Sequence, residues 1–327
     1  MARALHDADD RNEIDDQDNQ NDDGDDDQMA LTLKVLHVRL PLDMARTIPC
    51  YGRRRQLSRG ETTLGAAFDR FCTPVQLARR KQTSAKFERV ALDLPFGRLM
   101  GFVAGPADGA PALAVHGWNS QAEFFQPLIS ACTRQGLRVF AFDMPAHGAT
   151  REANPAKPTS TLVEWVETLI HATAALGIAE WRGVIAHSFG ALAASFAFGA
   201  RPWPGAPAMK AGALALVAGA AGMATVIESY AAADGTCAED VADIVHGVES
   251  ATTAPLAALS IHAVATELPA RLLLVHDPAD AITRLADIRN ELAAHPPSEE
   301  MLRPGAGHDG ILFQLEVGRA VAKFAAG

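Results

Sequence analysis

The sequence predicts an α/β protein built on a mostly parallel, doubly wound β-sheet. Its 327 residues are 48% hydrophobic, which suits one large domain or two small ones. From about residue 86 onward, short apolar runs alternate with helical stretches, as expected when helices cover both faces of a sheet. No apolar run approaches the length of a membrane span, so none is expected.

The negative charge of the chain is concentrated at its start. Residues 1–28 contain 12 Asp or Glu and 2 Arg, so this segment accounts for the whole net charge of −10. It has too little apolar surface to fold, and we expect a disordered tail; an acidic interaction segment is the alternative. The rest of the chain is neutral, which argues against a nucleic-acid partner.

The N-terminus and the cysteines bear on the cellular compartment. No apolar core of a signal peptide is present, because Asp7, Asp9 and Asp10 stand where one would begin, and we expect a cytoplasmic protein. The cysteines form no C-x-x-C pair, so we expect reduced thiols. They are Cys50, Cys72, Cys132 and Cys237.

Residues 29–85 are predicted to be an N-terminal extension that contains one helix. Leu64, Ala67, Phe68 and Phe71 have helical spacing, which predicts a helix over residues 62–71. Pro74 would end it.

The elements of the main domain, residues 86–327, follow from the apolar runs. A hairpin is predicted around Gly97. The predicted strands are 87–94, 99–103, 112–115, 138–142, 183–186, 213–217, 271–275 and 299–302. The predicted helices are 121–134, 162–176, 189–198, 285–294 and 311–324.

One interval interrupts this alternation. About fifty Ala-rich residues separate the strand that ends near Val217 from the strand that begins near Arg271. A loop of that length without structure of its own is uncommon. We therefore expect a small helical cap over about 219–268, with breaks at Gly235 and Pro255.

The segment from Val184 to Gly190 has the pattern of a nucleophilic serine. A buried strand runs directly into Ser188, and an Ala-rich helix follows. Ala186 and Gly190, two residues before and two after the serine, are small enough for the sharp strand-to-helix turn that exposes such a nucleophile. An ordinary helix N-cap serine is the alternative.

A second strand, ending in Val115-His116-Gly117-Trp118, predicts an oxyanion site. Acyl transfer places negative charge on the carbonyl oxygen, which two preorganised backbone N–H groups must stabilise. Phe189, directly after the serine, and Trp118 are the residues expected to donate them. His116 is expected to hold its loop by hydrogen bonds.

These segments together resemble the α/β-hydrolase superfamily over residues 86–327. Residues 141–150, Ala-Phe-Asp-Met-Pro-Ala-His-Gly-Ala-Thr, are similar to the D-x-P-G-H-G-x-S turn of that family, with Ala146 in place of Gly and Thr150 in place of Ser. The resemblance implies an α/β-hydrolase fold with a small helical cap. It implies an architectural role for His147 and this turn.

The acid and the base must follow the serine in that order. Of the five histidines after Ser188, we expect His308 to be the general base. It follows a Gly-rich turn between the last strand and the last helix, and it matches the final G-x-G-H segment of the family. The other four are His246, His262, His276 and His295. The resemblance of residues 275–280 to V-H-G-x-x-D implies that Asp280 is the acid, and Asp277 is a second candidate.

These residues predict a serine hydrolase that cleaves a carboxylic ester, or a related acyl bond, of a small, mostly apolar substrate. An acyltransferase with the same residues and a non-enzymatic ligand-binding protein are the alternatives. The chemistry needs no metal ion or organic cofactor, and the sequence contains no P-loop, zinc spacing or dinucleotide fingerprint.

Overall fold

One nine-stranded sheet organises the part of the chain that the computed structural model describes: residues 34–35, 65–77, 87–199, 201–205 and 207–327. The predicted acidic tail lies outside these residues, as does most of the predicted extension. The strands are β1 (Lys34–Val35), β2 (Phe87–Leu94), β3 (Gly97–Ala104), β4 (Ala110–Val115), β5 (Leu137–Asp143), β6 (Gly183–His187), β7 (Leu214–Val217), β8 (Leu272–His276) and β9 (Glu299–Leu302).

The strand order explains where a site can form. The strands lie in the order β1-β2-β3-β5-β4-β6-β7-β8-β9, and β3 is antiparallel to both of its neighbours while the other pairs are parallel. The chain moves from β4 to β5 on one side and then crosses to β6 on the other. Open α/β sheets bind ligands outside the carboxyl ends of the strands at such a reversal. The residues after β4 and β6 therefore meet at the expected position of a site.

Helices cover both faces of this sheet. They are α1 (Ala66–Phe71), α2 (Gln126–Arg134), α3 (Gly148–Ala153), α4 (Leu162–Ala175), α5 (Phe189–Phe198), α6 (Met223–Asp234), α7 (Ala238–Thr252), α8 (Leu285–Glu291) and α9 (Leu315–Ala326). One apolar cluster includes residues of α4, α5 and α8, and a second includes residues of α2 and α9. These two layers confirm the predicted doubly wound α/β sheet. None of the helices in the described residues is long and apolar enough to cross a membrane.

Several helices differ from the prediction; among them, the predicted helix 311–324 is a 3₁₀ turn, Gly310–Phe313, followed by α9, Leu315–Ala326. The predicted helix 121–134 is a 3₁₀ turn, Ala122–Phe125, followed by α2 with a proline in its first turn, where proline is well tolerated. Helix α8 ends at Glu291 rather than at 294. Helix α3 was not predicted, because the turn-like composition of residues 143–150 conceals its start.

The interval between β7 and β8 is largely helical, as expected for residues 219–268. It contains α6, α7 and two 3₁₀ segments, Leu256–Ala258 and Ile261–Glu267. Gly235 ends α6 in a left-handed conformation with φ 68°, which is the usual role of glycine at a helix end. Pro255 precedes the first 3₁₀ segment. Both residues therefore break the helices where the sequence indicated.

Candidate active site

Ser188 occupies a strained turn between β6 and α5. Its φ of 53° and ψ of −125° lie in a region that non-glycine residues rarely adopt. The surrounding backbone fixes it: its N–H donates to the Val217 carbonyl at 3.1 Å, and its carbonyl accepts from Ala191 at 2.9 Å and Ala220 at 3.1 Å. A side chain on Gly190 would overlap the His116 carbonyl oxygen, so this turn requires glycine there.

Three of the predicted site residues form a hydrogen-bonded chain. His308 Nε2 lies 2.9 Å from Ser188 Oγ, and His308 Nδ1 lies 2.8 Å from Asp280 Oδ2. Residues 120 positions apart in the sequence are thus joined at the carboxyl edge of the sheet. In this geometry the imidazole can accept the serine proton on one side while a carboxylate orients it on the other.

Asp280 is buried and remains ionised. Its side chain is 1% exposed, and its Oδ1 accepts hydrogen bonds from the N–H groups of Ile282 at 2.8 Å and Thr283 at 3.1 Å. Burial by itself would raise the pKa of this carboxyl group, but the hydrogen bond to His308, the charge of that ring and the two N–H groups lower the pKa to about 2. The side chain of Asp280 is therefore a carboxylate at neutral pH.

Asp277, the second candidate acid, has different partners. Its Oδ1 accepts from the Ala279 N–H at 2.9 Å, and its Oδ2 accepts from the Gly307 N–H at 2.7 Å. These hydrogen bonds lower the pKa of Asp277. The carboxylate thus joins the end of β8 to the loop before His308.

The four alternative histidines do not bond Ser188, although His276 Nε2 lies 3.9 Å from Asp280 Oδ2. His276 Nε2 is 2.8 Å from the Thr283 carbonyl oxygen, and His295 Nε2 is 3.3 Å from that of Pro269. His246 and His262 lie in α7 and in the second 3₁₀ segment. His308 is the one whose ring reaches Ser188.

Two residues that support His308 were missed by the sequence analysis. Thr283 Oγ1 lies 3.0 Å from Asp280 Oδ2 and 3.1 Å from the Ala218 carbonyl oxygen. His187 Nε2 lies 3.0 Å from the His308 carbonyl oxygen, and their rings are 4.9 Å apart. Aspartate is a turn-forming residue type, so Asp280 indicates a turn here, but the sequence does not mark Thr283 as its partner. The residue before the serine carries no such signal, because many residue types fit that position.

The predicted oxyanion residues flank Ser188. Phe189 is the first residue of α5, and the first N–H groups of a helix have no partner within it. Trp118 follows Gly117, whose position is so close to the serine that an added Cβ would lie 2.8 Å from Ser188 Cβ. The Trp118 and Phe189 rings meet edge to face with centroids 5.3 Å apart. The oxyanion role of both backbone groups stays a prediction.

His116 and His147 support the surrounding loops. His116 accepts from the Met144 N–H at 2.9 Å and lies 2.7 Å from the Gly117 carbonyl oxygen, as expected for a loop-holding residue. His147 accepts from the Asn119 N–H at 3.3 Å and lies 2.9 Å from the Pro145 carbonyl oxygen. Each ring needs one donor and one acceptor nitrogen for these bonds, which is the neutral form.

We expect the folded protein to lose stability as the pH falls from 6.5 toward 4. Burial lowers the pKa of His147 to about 4 and of His187 to about 3, and it holds the pKa of His116 well below 6.5. Below 6.5 the unfolded chain binds protons at these positions that the folded protein does not. Each histidine then removes about 1.4 kcal/mol of unfolding free energy per pH unit.

Urea unfolding at intervals between pH 7 and pH 4.5 measures this dependence. His187→Gln should have a flatter profile than the wild-type protein, and His262→Gln, at an exposed position, should match the wild-type profile. An unfolding free energy that stayed constant across this range would contradict this expectation, because it would mean that the folded protein and the unfolded chain bind protons equally.

One group of described residues has the composition of a metal site. The nearest ligand atoms of His187, His308 and Asp309 lie within 4.8 Å of one another. Both ring nitrogens of His308 already face partners, however, namely Ser188 and Asp280. The arrangement therefore favours proton transfer over metal binding.

A cavity of about 620 Å³ opens at Ser188. Its volume lies within the roughly 300–1,000 Å³ typical of small-molecule sites. Apolar side chains dominate its lining, and the described lining residues include Asp309 but no lysine or arginine. The cavity suits an uncharged, largely apolar ligand.

Solved structures with the same fold support the interpretation of the sheet. A bacterial membrane phospholipase A, described as a virulence factor, aligns with a TM-score of 0.57 at 15% identity, over 73% of this chain and 86% of that protein. An esterase of Pyrococcus furiosus aligns with a TM-score of 0.55 at 17% identity, over 77% and 96%. A thioesterase domain from the curacin biosynthetic pathway aligns at 0.51 and 15% identity, over 74% and 99%. At these identities the likeness concerns the fold.

The sequence model of the α/β-hydrolase fold family matches residues 112–204, which include most of β4, Gly117, β6 and Ser188. Over these residues the chain matches the α/β-hydrolase fold family. A serine hydrolase-like protein of Danio rerio is 33% identical to this chain over 79 residues, which are 23% of this chain. The chain spans about a quarter (24%) of the length of that curated relative.

Proposed function

We propose that this protein is a serine esterase that cleaves small, uncharged carboxylic esters through an acyl-enzyme on Ser188. The observation that carries the proposal is the hydrogen-bonded chain from Ser188 through His308 to Asp280, at the mouth of an apolar cavity. The esterase and thioesterase among the structural neighbours are consistent with acyl transfer.

The first half of the reaction forms the acyl-enzyme. Ser188 Oγ attacks the ester carbonyl carbon while its proton moves to His308 Nε2, and Asp280 stabilises the resulting imidazolium. The negative charge on the carbonyl oxygen is met by the backbone N–H groups of Trp118 and Phe189. The bond to the leaving oxygen then breaks, and His308 returns the proton to that oxygen, which releases the alcohol.

Water completes the cycle by the same steps. It attacks the acyl carbon, passes one proton to His308 Nε2 and forms a second tetrahedral intermediate. The bond to Ser188 Oγ breaks, the serine recovers the proton, and the carboxylic acid leaves. No residue beyond those already named is required for either half.

The charge of the cavity favours simple esters over acyl groups on phosphate-bearing carriers. Recognition of phosphate groups generally uses Arg or Lys side chains or helix N-termini. The described lining residues supply neither basic side chain, the helix N-terminus at Phe189 is assigned to the oxyanion of the reacting ester, and Asp309 would repel such anions. Neutral acyl esters meet no such penalty.

Labelling by a fluorophosphonate probe tests the proposal most directly. The wild-type protein should be labelled on Ser188, and it should hydrolyse p-nitrophenyl esters with release of both products. Product analysis with an added alcohol distinguishes hydrolysis from acyl transfer, because a transferase would form a new ester. Absence of both labelling and ester turnover would contradict the proposed function.

A further inference from the structure

The N-terminal helix α1 lies against the cap and forms part of the cavity wall. Residues 65–77, here called the α1 segment, are far from the cap in sequence, yet α1 packs on α7. Phe68, Phe71 and Cys72 line the same cavity as Ser188. A helix that precedes the main domain in the sequence thus contributes to its candidate site.

A carboxylate of the cap holds the start of α1. Asp243 of α7 accepts hydrogen bonds from the backbone N–H groups of Gly65 at 2.8 Å and Ala67 at 3.1 Å, and it lies 3.4 Å from that of Phe68. These N–H groups have no partner within a helix, and their positive dipole favours an anion. No side chain of the α1 segment bonds the first N–H groups of α1. Asp243 therefore acts as the N-terminal capping residue of α1, although it belongs to a distant helix.

Further contacts fix α1 against the cap. Arg70 forms an ion pair with Asp240 at 2.5 Å. Gly247 of α7 leaves space for the Phe68 ring, because an added Cβ would overlap that ring. The two helices therefore approach closely at the position where Phe68 enters the cavity wall.

The far end of the α1 segment is tied to loops of the main domain. The Cys72 carbonyl oxygen accepts from the Ser160 N–H at 2.8 Å, and the Val75 N–H donates to Asn119 Oδ1 at 2.7 Å. Asn119 directly follows Trp118, a predicted oxyanion residue. The segment thus spans from the cap to the loop beside Ser188.

An aromatic pair of the wall joins this segment to the cap. The Phe71 ring meets the Tyr230 ring of α6 edge to face, with centroids 5.1 Å apart, and both residues line the cavity. Such a pair presents a large apolar surface in a defined geometry. An acyl or aryl group bound in the cavity would contact that surface.

We propose that the α1 segment is a specificity element of the active site, and that Phe71 selects esters with a medium-length or aromatic acyl group. The proposal rests on the esterase function proposed above. The cavity volume of about 620 Å³ exceeds the need of an acetyl group, and Phe68, Phe71 and Tyr230 are among the residues that line it. Removal of the Phe71 ring enlarges the cavity and removes its contact with the acyl chain.

The test is a series of p-nitrophenyl esters with acyl chains from acetyl to dodecanoyl. Phe71→Ala should lower kcat/KM for medium chains relative to the longest chain by about tenfold, the size of effect that one or two methylene contacts have in an apolar pocket. Phe313→Ala is the matched control: this phenylalanine is 42% exposed and does not line the cavity. Its chain-length profile should equal that of the wild-type protein.

A second variant tests whether the position of α1, and not only the Phe71 ring, sets the chain-length preference. Asp243→Ala removes the carboxylate that bonds the first N–H groups of α1, and Asp243 does not line the cavity. This variant should shift the chain-length profile in the same direction as Phe71→Ala. Glu239→Ala, an exposed acidic residue at the start of the same helix, should not. Profiles of Phe71→Ala and Asp243→Ala that both equal the wild-type profile would overturn the proposal.

A binding measurement keeps this result distinct from the proposed function. In a Ser188→Ala background, the affinity for uncleaved octanoyl and acetyl esters can be followed by tryptophan fluorescence. Phe71→Ala in that background should reduce the preference for octanoyl, whether or not the wild-type protein turns esters over. An unchanged preference would refute the role of α1, whereas preserved binding without wild-type turnover would refute only the esterase function.

Discussion

Replacement of Ser188 by alanine is expected to abolish ester hydrolysis while the fold stays intact. The hydroxyl is the proposed nucleophile, and loss of such a group in a serine hydrolase costs about 10⁶ in kcat. The backbone of the turn should not change, since its hydrogen bonds to Val217, Ala191 and Ala220 use main-chain atoms. Steady-state hydrolysis of a p-nitrophenyl ester and circular dichroism measure the two parts of this expectation.

Ser195→Ala is the matched control for that variant. Ser195 lies on the same helix, and its buried hydroxyl donates to the Ala191 carbonyl oxygen at 2.8 Å. Its loss should leave turnover and probe labelling near the wild-type level. Turnover by Ser188→Ala close to that of the wild-type protein would contradict the proposed nucleophile.

The second large effect is expected from Asp280→Asn. Asparagine retains the shape of the side chain, but its amide N–H can face His308 Nδ1, which favours the wrong tautomer of the imidazole. The analogous change in a protease triad lowers kcat by about 10⁴. We expect a loss of that size in kcat, with the far-ultraviolet spectrum unchanged.

Asp277→Asn is its paired control, three residues earlier in the same loop. The Asp277 carboxylate bonds the Ala279 and Gly307 N–H groups rather than His308. Its loss should lower the melting temperature and leave most of the turnover. An inactive, folded Asp277→Asn beside an active Asp280→Asn would reverse the two roles.

The turn at residues 143–150 forms although Ala146 replaces the glycine of the family pattern. The resemblance to the family turn implied a glycine at this position, and the structure has Ala146 with φ 66°. A left-handed alanine costs about 1–2 kcal/mol relative to the right-handed form. The neighbouring Gly148 adopts φ 44°, where a side chain would overlap the Asp143 carboxylate. That carboxylate accepts from the Ala122 and Ala149 N–H groups, which stabilises the turn despite Ala146.

The sequence by itself predicted the sheet and the positions of the candidate site residues. Buried strands and amphipathic helices have local periodicities, and Ser188, Trp118, Asp280 and His308 each lie in a short turn directly after a strand. Parallel strands end at one edge of a sheet, so residues after those strands are expected to meet. The assignment of the acid and the base to particular loops needed only the order in which they follow the serine along the chain and the resemblance to a known family.

Only the tertiary structure decided which groups touch. It placed Asp280 rather than Asp277 against His308, joined His187 to the His308 backbone, and brought α1 to the cap through a contact between residues 178 positions apart. No periodicity or turn signal encodes such pairs. They depend on how loops and helices pack once the sheet has formed, because a hydrogen bond between distant residues is set by the position of both backbones and not by either local sequence.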